Sequence, residues 1–494
     1  MKYLITFLTS LALAGSLTGQ APEWIKNNWH PGLYEQELRF LASDELQGRN
    51  VGEPGLNVAA RYIAEIFRKN GLLPLPGMHD YFQEVPFEKI IPGRTEIRFL
   101  DTVFAQGQNV LMLDGPAIED QGIAVFINFG DSIVADEVQG KYVITLFGTE
   151  DIRSPMAAMQ KGREKQKELQ LFGAKGLLEI YTLQTPWSVM SNYLNRERLQ
   201  LEQEAGEGTT PLAHGLIQLD NRAIASLRKS PVRPIHIQYT GVQRLKVPSF
   251  NVLAYKPGSE AEYQDEFIIL SAHYDHIGVR NRAPGEPPGQ DTIFNGARDN
   301  GMGVVALLSS ADVLNTVSTK RSIVFAAWTA EEKGLLGSDY FVKNPPIALD
   351  KIRFNLNTDG AGYSDTTVIS ILGYDRVGAA QEMKQACEAF GLSVVVDPAK
   401  EQNLFDRSDN VRFAQQGIPA PTFSPGFRAF DEEIRTYYHR ESDNPDSINY
   451  RYANAYWKAF TYAAYLIAQK DSNPHWSHGD KYEEAAKSLY GDRY

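Results

Sequence analysis

Cysteine is almost absent: Cys387 is the single one in 494 residues. No intramolecular disulfide is possible, and no cysteine-based ligand set can form, so any metal site must use histidine and carboxylates. Beyond the first residues, no apolar run approaches the roughly 18 needed to cross a bilayer. Basic charge is short, with Lys+Arg 49 against Asp+Glu 61 and a net charge of −12. That balance argues against a constitutive binder of nucleic acid or anionic membranes. There is no Gly-x-Ser-x-Gly elbow, no Walker-type phosphate loop and no Gly-x-Gly-x-x-Gly fingerprint. Cys387 sits inside a helical pattern rather than a His-flanked loop. Serine and cysteine hydrolysis are therefore poorly supported.

What is present is a globular composition, 43% hydrophobic and 11% aromatic. That is enough apolar mass for a large core, and the length suggests two to three domains. At the N-terminus Met1-Lys2 precedes a short apolar run, Tyr3 to Ala14, and then the small residues Gly15, Ser16, Thr18 and Gly19. This layout is that of a secretory signal peptide over residues 1–19. The expectation is an exported protein, periplasmic or secreted, without a membrane anchor. No cysteine near the cleavage region provides for a lipoprotein anchor.

From Leu38 the pattern is helical, with "NVAARYIAEIFRKNGL" closing at Gly71 after basic residues. The polar, Gly-rich "LASDELQGRNVGEPG" precedes it. Residues 20–95 thus form the first part of a domain. Over 96–245 short strand-like runs such as "GIAVFINFG" and "GKYVITLFG" alternate with turns and charged stretches. "LNRERLQLEQEAGEG" reads as a solvated helix or loop. His214 and His236 stand alone in this block and read as structural. Over 246–471 buried-strand runs, "EFIILSA", "RSIVFAAWT" and "IRFNLNT", alternate with helices. The expected fold is α/β, a mixed, mainly parallel sheet with helices on both faces, interrupted by a β-rich insert. Residues 472–494 read as a C-terminal appendage.

Three strand-like runs end in ionisable residues. The first ends in "SAHYDHIG" with His273, Asp275 and His276, the second in "TAEEKG" with Glu331 and Glu332, the third in "NTDGAG" with Asp359. In open α/β sheets ligands bind outside the carboxyl ends of the strands, so these segments are expected to converge. "NGARDNGMG" places Asp299 at a helix start, and "YYHRESDNPDS" supplies His439 from a turn-rich loop. Two histidines (273, 439), two aspartates (299, 359) and Glu332 suit a pair of Zn²⁺ ions with N/O ligands. Asp299 is the candidate bridge, with His273 and Asp359 on one ion and Glu332 and His439 on the other. Asp275 is placed to accept the far imidazole N–H of His273. Glu331, beside a ligand but not needed as one, is the candidate general base, and such a site hydrolyses amides. His276 reads as a pocket or supporting residue rather than a ligand.

These residues carry a resemblance. "AHYDHIG", "NGARDNGMG", "AAWTAEEKGLLGSDYF", "NLNTDGAG", "SDNVRFAQQGIPA" and "YHRESDNPDSI" stand in the order found in the di-zinc aminopeptidases of peptidase family M28. "LASDELQGRNVGEPG…AARYIAEIF…GL" is similar to that family's N-terminal helical region. The insert is similar to a protease-associated (PA) domain. The resemblance implies a zinc-exopeptidase-like fold and two Zn²⁺ held by His273, Asp299, Glu332, Asp359 and His439. It also implies Glu331 as base, Asp275 behind the first histidine, and Asp443 as support of the His439 loop. Peptides are the implied substrates, cut at the N-terminus. Arg298 and Met302 depart from the family pattern, which often has an acidic residue and a small one there, and bear on pocket polarity and specificity. The insert "VRNRAPGEPPGQDT" is a candidate pocket rim. Rival readings are a metallo-carboxypeptidase and a glutaminyl cyclase-like transferase on the same scaffold, and a non-enzymatic binding ectodomain.

Overall fold

The protein is described by a computed structural model. It describes residues 21–494 apart from 129–132, 149–151, 153, 203–210, 284 and 494, so the signal-peptide reading lies outside the described residues. The chain divides into two compact units, one made of the residues up to Val85 together with Pro248–Tyr494, the other of Pro86–Val247. Among the described residues no helix is long and apolar enough to cross a membrane.

After a short helical segment at Glu23–Asn27, the first unit continues with helices α1 (Pro31–Leu41) and α2 (Pro54–Lys69). In α2, proline occupies the first turn, where its missing N–H costs nothing. Leu56, Ala59, Ala60, Ile63, Ala64 and Phe67 recur at helical spacing and are buried. The helix stops where Gly71 turns left-handed at φ +70°.

The main sheet of this unit is built from β1 (Gln243–Lys256, from Pro248 on), β2 (Phe267–His273), β3 (Ser322–Trp328), β4 (Ile352–Asn357), β5 (Val368–Leu372), β6 (Ser393–Val396) and β7 (Thr422–Pro425), and Gly278–Val279 pairs separately with Ile293–Phe294. They lie side by side in the order β6-β5-β7-β4-β2-β3-β1. β2 runs parallel to both β3 and β4, β4 to β7 and β5 to β6. Only the β1–β3 and β5–β7 pairs are antiparallel. The sheet is mixed and mainly parallel. Every residue of β2, β3 and β4 is buried, which is why these strands are unbroken apolar runs rather than alternating ones.

Helices α3 (Met302–Leu314), α4 (Leu336–Lys343), α5 (Ala380–Ala389), α6 (Asn410–Gln415), α7 (Glu432–Tyr437) and α8 (Tyr450–Ala468) follow, and a last helix spans Glu483–Tyr490. α3 and α8 pack on each other and on β2, while α6 packs on α4 and β4. The α3–α8 seam is pinned by polar contacts: Trp457 Nε1 donates to the Met302 carbonyl at 2.9 Å, and Ser310 meets Thr461 at 2.8 Å. The C-terminal stretch does not hang free of the unit. Trp476 is buried with Nε1 on the Gly417 carbonyl (2.9 Å), and the Tyr490 hydroxyl donates to the Ile352 carbonyl at 2.5 Å.

The second unit holds an eight-stranded mixed sheet in the order Thr102–Ala105, Thr95–Phe99, Val232–Tyr239, Ile118–Phe126, Tyr142–Leu146, Gly176–Ile180, Ala213–Ile217, Val110–Asp114. Helices Pro155–Leu171, Trp187–Leu194 and Asn221–Lys229 accompany it. Arg198–Leu201, expected within a solvated helix or loop, is instead a strand paired with Ile90–Phe87. Its two leucines meet a β partner that the local charge pattern does not announce. His214 is buried with Nε2 2.8 Å from Glu179, whose other oxygen takes Lys165 Nζ at 2.8 Å.

Candidate metal centre

Parallel strands that start level also end level. His273 lies opposite Trp328 in the β2–β3 register, and Ser271 opposite Asn357 in the β2–β4 register. The residues that follow these ends, Asp275, Glu331, Glu332 and Asp359, therefore emerge at one edge of the sheet. Asp299 stands just before α3 and His439 just after α7. Two positions here are left-handed without being glycine, Ala330 just before Glu331 at φ +58° and His439 at φ +54°. Such conformers cost on the order of 1–3 kcal/mol and cluster where a site fixes the backbone.

The structure brings the five expected ligands together around Asp299. His273 Nε2 lies 3.3 Å from Asp299 Oδ1 and 3.2 Å from Asp359 Oδ1. His439 Nε2 lies 3.2 Å from Asp299 Oδ2 and 3.3 Å from Glu332 Oε1. Two clusters result, His273–Asp299–Asp359 and His276–Asp299–Glu332–His439, each with ligand atoms within 4.8 Å of one another, and Asp299 belongs to both. His276, read from the sequence as a supporting residue, thus stands among the donors, with Nδ1 2.8 Å from Glu332 Oε1. Its position three residues past His273 at the same strand end was the one signal for it.

Asp275 acts differently from the expectation. His273 Nδ1 lies 3.1 Å from the Asp275 backbone carbonyl but 3.8 Å from its carboxylate. That carboxylate accepts the backbone N–H of Glu331 (3.0 Å) and of Glu332 (3.3 Å), because the β3 turn comes closer to it than the imidazole does. Asp443 likewise holds the Asp299 turn as much as its own loop. It accepts the backbone N–H of Arg298 at 3.0 Å and of Asp299 at 3.2 Å. Asn300 Nδ2 donates to the Thr358 carbonyl at 2.9 Å, tying this turn to the end of β4.

The cleft is lined by His273, Asp299, Glu331, Glu332, Asp359 and His439, together with an apolar wall of Leu372, Leu404, Phe427, Phe430 and Ile434. Tyr438 and Arg407 also line it, Arg407 Nη2 donating to the Tyr438 hydroxyl at 3.3 Å while the Tyr438 ring stacks on His439. Neither the apolar wall nor Arg407 was singled out in the sequence, since their residue types are ordinary and only the fold gathers them. Arg298 and Met302 are not among the lining residues, and both are buried. Arg298 is turned to Asp443 (3.3 Å) and Ser447 (2.7 Å) and packs on the Tyr437 ring, which neutralises it away from the cleft. The described residues of the 279–292 segment are likewise absent from the lining.

Electrostatics separates the acids by role. Burial would raise Asp299, but hydrogen bonds from His273 and His439 outweigh it and hold the carboxylate well below its ordinary range. Burial and the Asp299 charge push Glu332 upward, and contacts with His276 and His439 reverse this, leaving it at about 2. Burial lowers His439, yet Asp299 and Glu332 bring it up to about 10. Glu331 is raised well above the carboxylate range, first by burial and then by Asp359, Asp409 and Glu332. Asp299 and Glu332 are thus held ionised while the adjacent Glu331 favours its protonated form.

The donor set fits a metal. The ligand atoms are imidazole nitrogens and carboxylate oxygens. Both His276 nitrogens and Glu332 Oε1 are buried without a well-directed hydrogen bond, an arrangement a cation satisfies. Residues 251–464 match the model of Peptidase family M28. The chain is 24% identical over 426 residues to "Aminopeptidase YwaD" of Bacillus subtilis (strain 168), covering 82% of this chain and 81% of that one. It is 25% identical over 257 residues to "Leucine aminopeptidase 2" of Trichophyton rubrum, covering 48% of each. Together with the family-model match and these aminopeptidase-named relatives, the site points to a metallopeptidase, a hydrolase. Among solved structures, an aminopeptidase from Aneurinibacillus sp. strain AM-1 superposes with a TM-score of 0.52 at 18% identity, over 90% of this chain and 96% of that one, a likeness of fold.

Proposed function

We propose that this protein is a two-zinc aminopeptidase that removes residues from the free N-terminus of peptides. The observation that carries the reading is the division of the Asp299 carboxylate, with Oδ1 3.3 Å from His273 and Oδ2 3.2 Å from His439. One oxygen faces each half of the site, as a bridging ligand must. His273 and Asp359 would complete one ion's ligands, and His439 and Glu332, with His276 beside them, the other's. Bound there, zinc supplies the Lewis acidity that polarises a peptide carbonyl and acidifies water. Glu331 takes a proton from the attacking water and returns it to the leaving amine, and its elevated proton affinity suits both transfers. The apolar wall receives the N-terminal side chain, and Tyr438 packs against His439 at the mouth. We further propose that the Pro86–Val247 unit is a PA-like insert and that the protein is exported.

The test is mass spectrometry of the products from a ten-residue peptide, with free or acetylated N-terminus, with and without chelator. Stepwise loss from the free N-terminus alone, abolished by chelator, is expected. Trimming from the C-terminus, or turnover that survives chelation, overturns the reading.

A further inference from the structure

The Gly-rich segment ahead of α2 has no part in the chemistry described above, yet it lies against the metal centre. Arg49 is buried, 1% exposed, and its guanidinium forms no hydrogen bond or ion pair with a carboxylate. Instead it donates only to backbone carbonyls. Nε reaches Tyr274 at 2.8 Å, Nη1 reaches Asn295 at 2.6 Å and also Leu41, and Nη2 reaches Gly296 at 3.0 Å. The Arg49 carbonyl in turn accepts the His276 N–H at 3.2 Å. The segment fits only as it stands, because a Cβ at Gly48 would fall 2.5 Å from the Gly278 and Phe294 carbonyl oxygens.

These partners are not a random sample of the backbone. Tyr274 lies between His273 and Asp275, and His276 is itself in the cluster. Asn295 and Gly296 lead into the Asp299 turn, which the Gly301 N–H closes on the Gly296 carbonyl at 3.0 Å. One planar cation therefore ties the β2 end to the Asp299 turn close to the ligands, inside the short antiparallel pairing of Gly278–Val279 with Ile293–Phe294 that joins the same two segments farther out. A buried guanidinium is costly unless every donor is met, so its placement constrains all the carbonyls it meets. Lysine, with one nitrogen, cannot span them.

We propose that Arg49 is a positioning residue of the metal centre: it sets the spacing between the His273–His276 strand end and the Asp299 turn, and through that spacing the affinity for the ions. The proposal rests on the two-zinc reading. The readout is zinc transfer from the zinc-loaded, full-length protein to a chromophoric chelator, compared among wild type, Arg49→Lys and Arg321→Lys, with near-ultraviolet circular dichroism to verify folding. Arg321 is an equally buried guanidinium bound to Glu266 (2.8 Å) and Asn473 (2.9 Å), and serves as the control. Arg49→Lys is expected to lose about 10–100-fold in zinc affinity, as partners behind metal ligands do, while Arg321→Lys keeps wild-type affinity. Wild-type affinity in folded Arg49→Lys, or an equal loss in Arg321→Lys, overturns the proposal. If Arg49→Lys does not fold, Asp44→Ala decides. Its exposed carboxylate accepts Asn295 Nδ2 at 2.7 Å, so its loss should weaken zinc in the same direction, and unchanged affinity there overturns the proposal. Failure of the wild type to retain zinc would instead refute the two-zinc reading.

Discussion

The carboxylate of Asp275 accepts the backbone N–H of Glu331 at 3.0 Å, so an acidic side chain at the end of β2 sets the turn that carries the candidate base from the end of β3. Its second oxygen takes the Glu332 N–H at 3.3 Å. Burial raises the Asp275 carboxyl to about 6, and the two N–H donors favour its ionised form.

Asp275→Asn removes one of those acceptors and turns an amide toward the Glu331–Glu332 turn. The expected result is a fall in kcat of about 10–100-fold with zinc content largely kept. Steady-state kinetics and metal analysis on the same preparation check it, and an unchanged kcat would detach Asp275 from the base.

Glu331→Gln keeps shape and removes the proton acceptor. Turnover should drop by about 10²–10⁴-fold, with both ions bound and the fold intact. Ordinary activity in that variant would remove Glu331 from the base role.

Asp299→Ala should empty the centre more thoroughly than loss of any ligand confined to one cluster, such as Asp359→Ala. Metal-to-protein ratios compare the two. For the wild type, chelation should lower Tm, since zinc at 100 times its Kd stabilises a protein by about 2.7 kcal/mol per site. An unchanged Tm on metal removal would argue that the ions are held too weakly to matter.

Glu37 makes a pH prediction away from the cleft. It is buried in α1 with Oε2 lacking a partner, and burial, with Asp312 adding to it, lifts its carboxyl to about 8. The folded state then holds a proton that the unfolded state releases near pH 4.5. Between those values the native state binds more protons, so this group's contribution falls as pH rises and is fully lost above about 8. Glu37→Gln should match wild type below pH 4.5 and exceed it at pH 8.5, by up to about 3–5 kcal/mol. Chemical denaturation at the two pH values measures the difference; an identical difference at both would exclude titration of Glu37 as its source.

The strand ends could be read along the chain because burial on both faces makes β2, β3 and β4 continuous apolar runs, and an acid or histidine directly after such a run stands out. His273, Glu332 and Asp359 followed from that pattern, while Asp299 and His439 were added by residue type at a helix start and in a turn-rich loop. Arg298 shows the reverse. A positive charge next to Asp299 suggested an altered cleft, but its side chain turns into a pocket of Asp443, Ser447 and Tyr437 that comes from 139 to 149 residues away in the chain. The Arg198–Leu201 strand was hidden for a related reason: its charges describe its surface, and its pairing with Phe87–Ile90 is set by a segment more than a hundred residues earlier.

By itself, then, the sequence determined the α/β layering and named the candidate metal-ligating groups, because each depends on local periodicity or on residue chemistry. Only the tertiary structure decided which Asp299 oxygen faces which histidine, that His276 joins the donors, that Asp275 holds a turn instead of an imidazole, and that Arg49 bonds to the backbone beside the ligands. Those outcomes depend on distances of a few ångströms between segments far apart in the chain, and residue spacing carries no information about them.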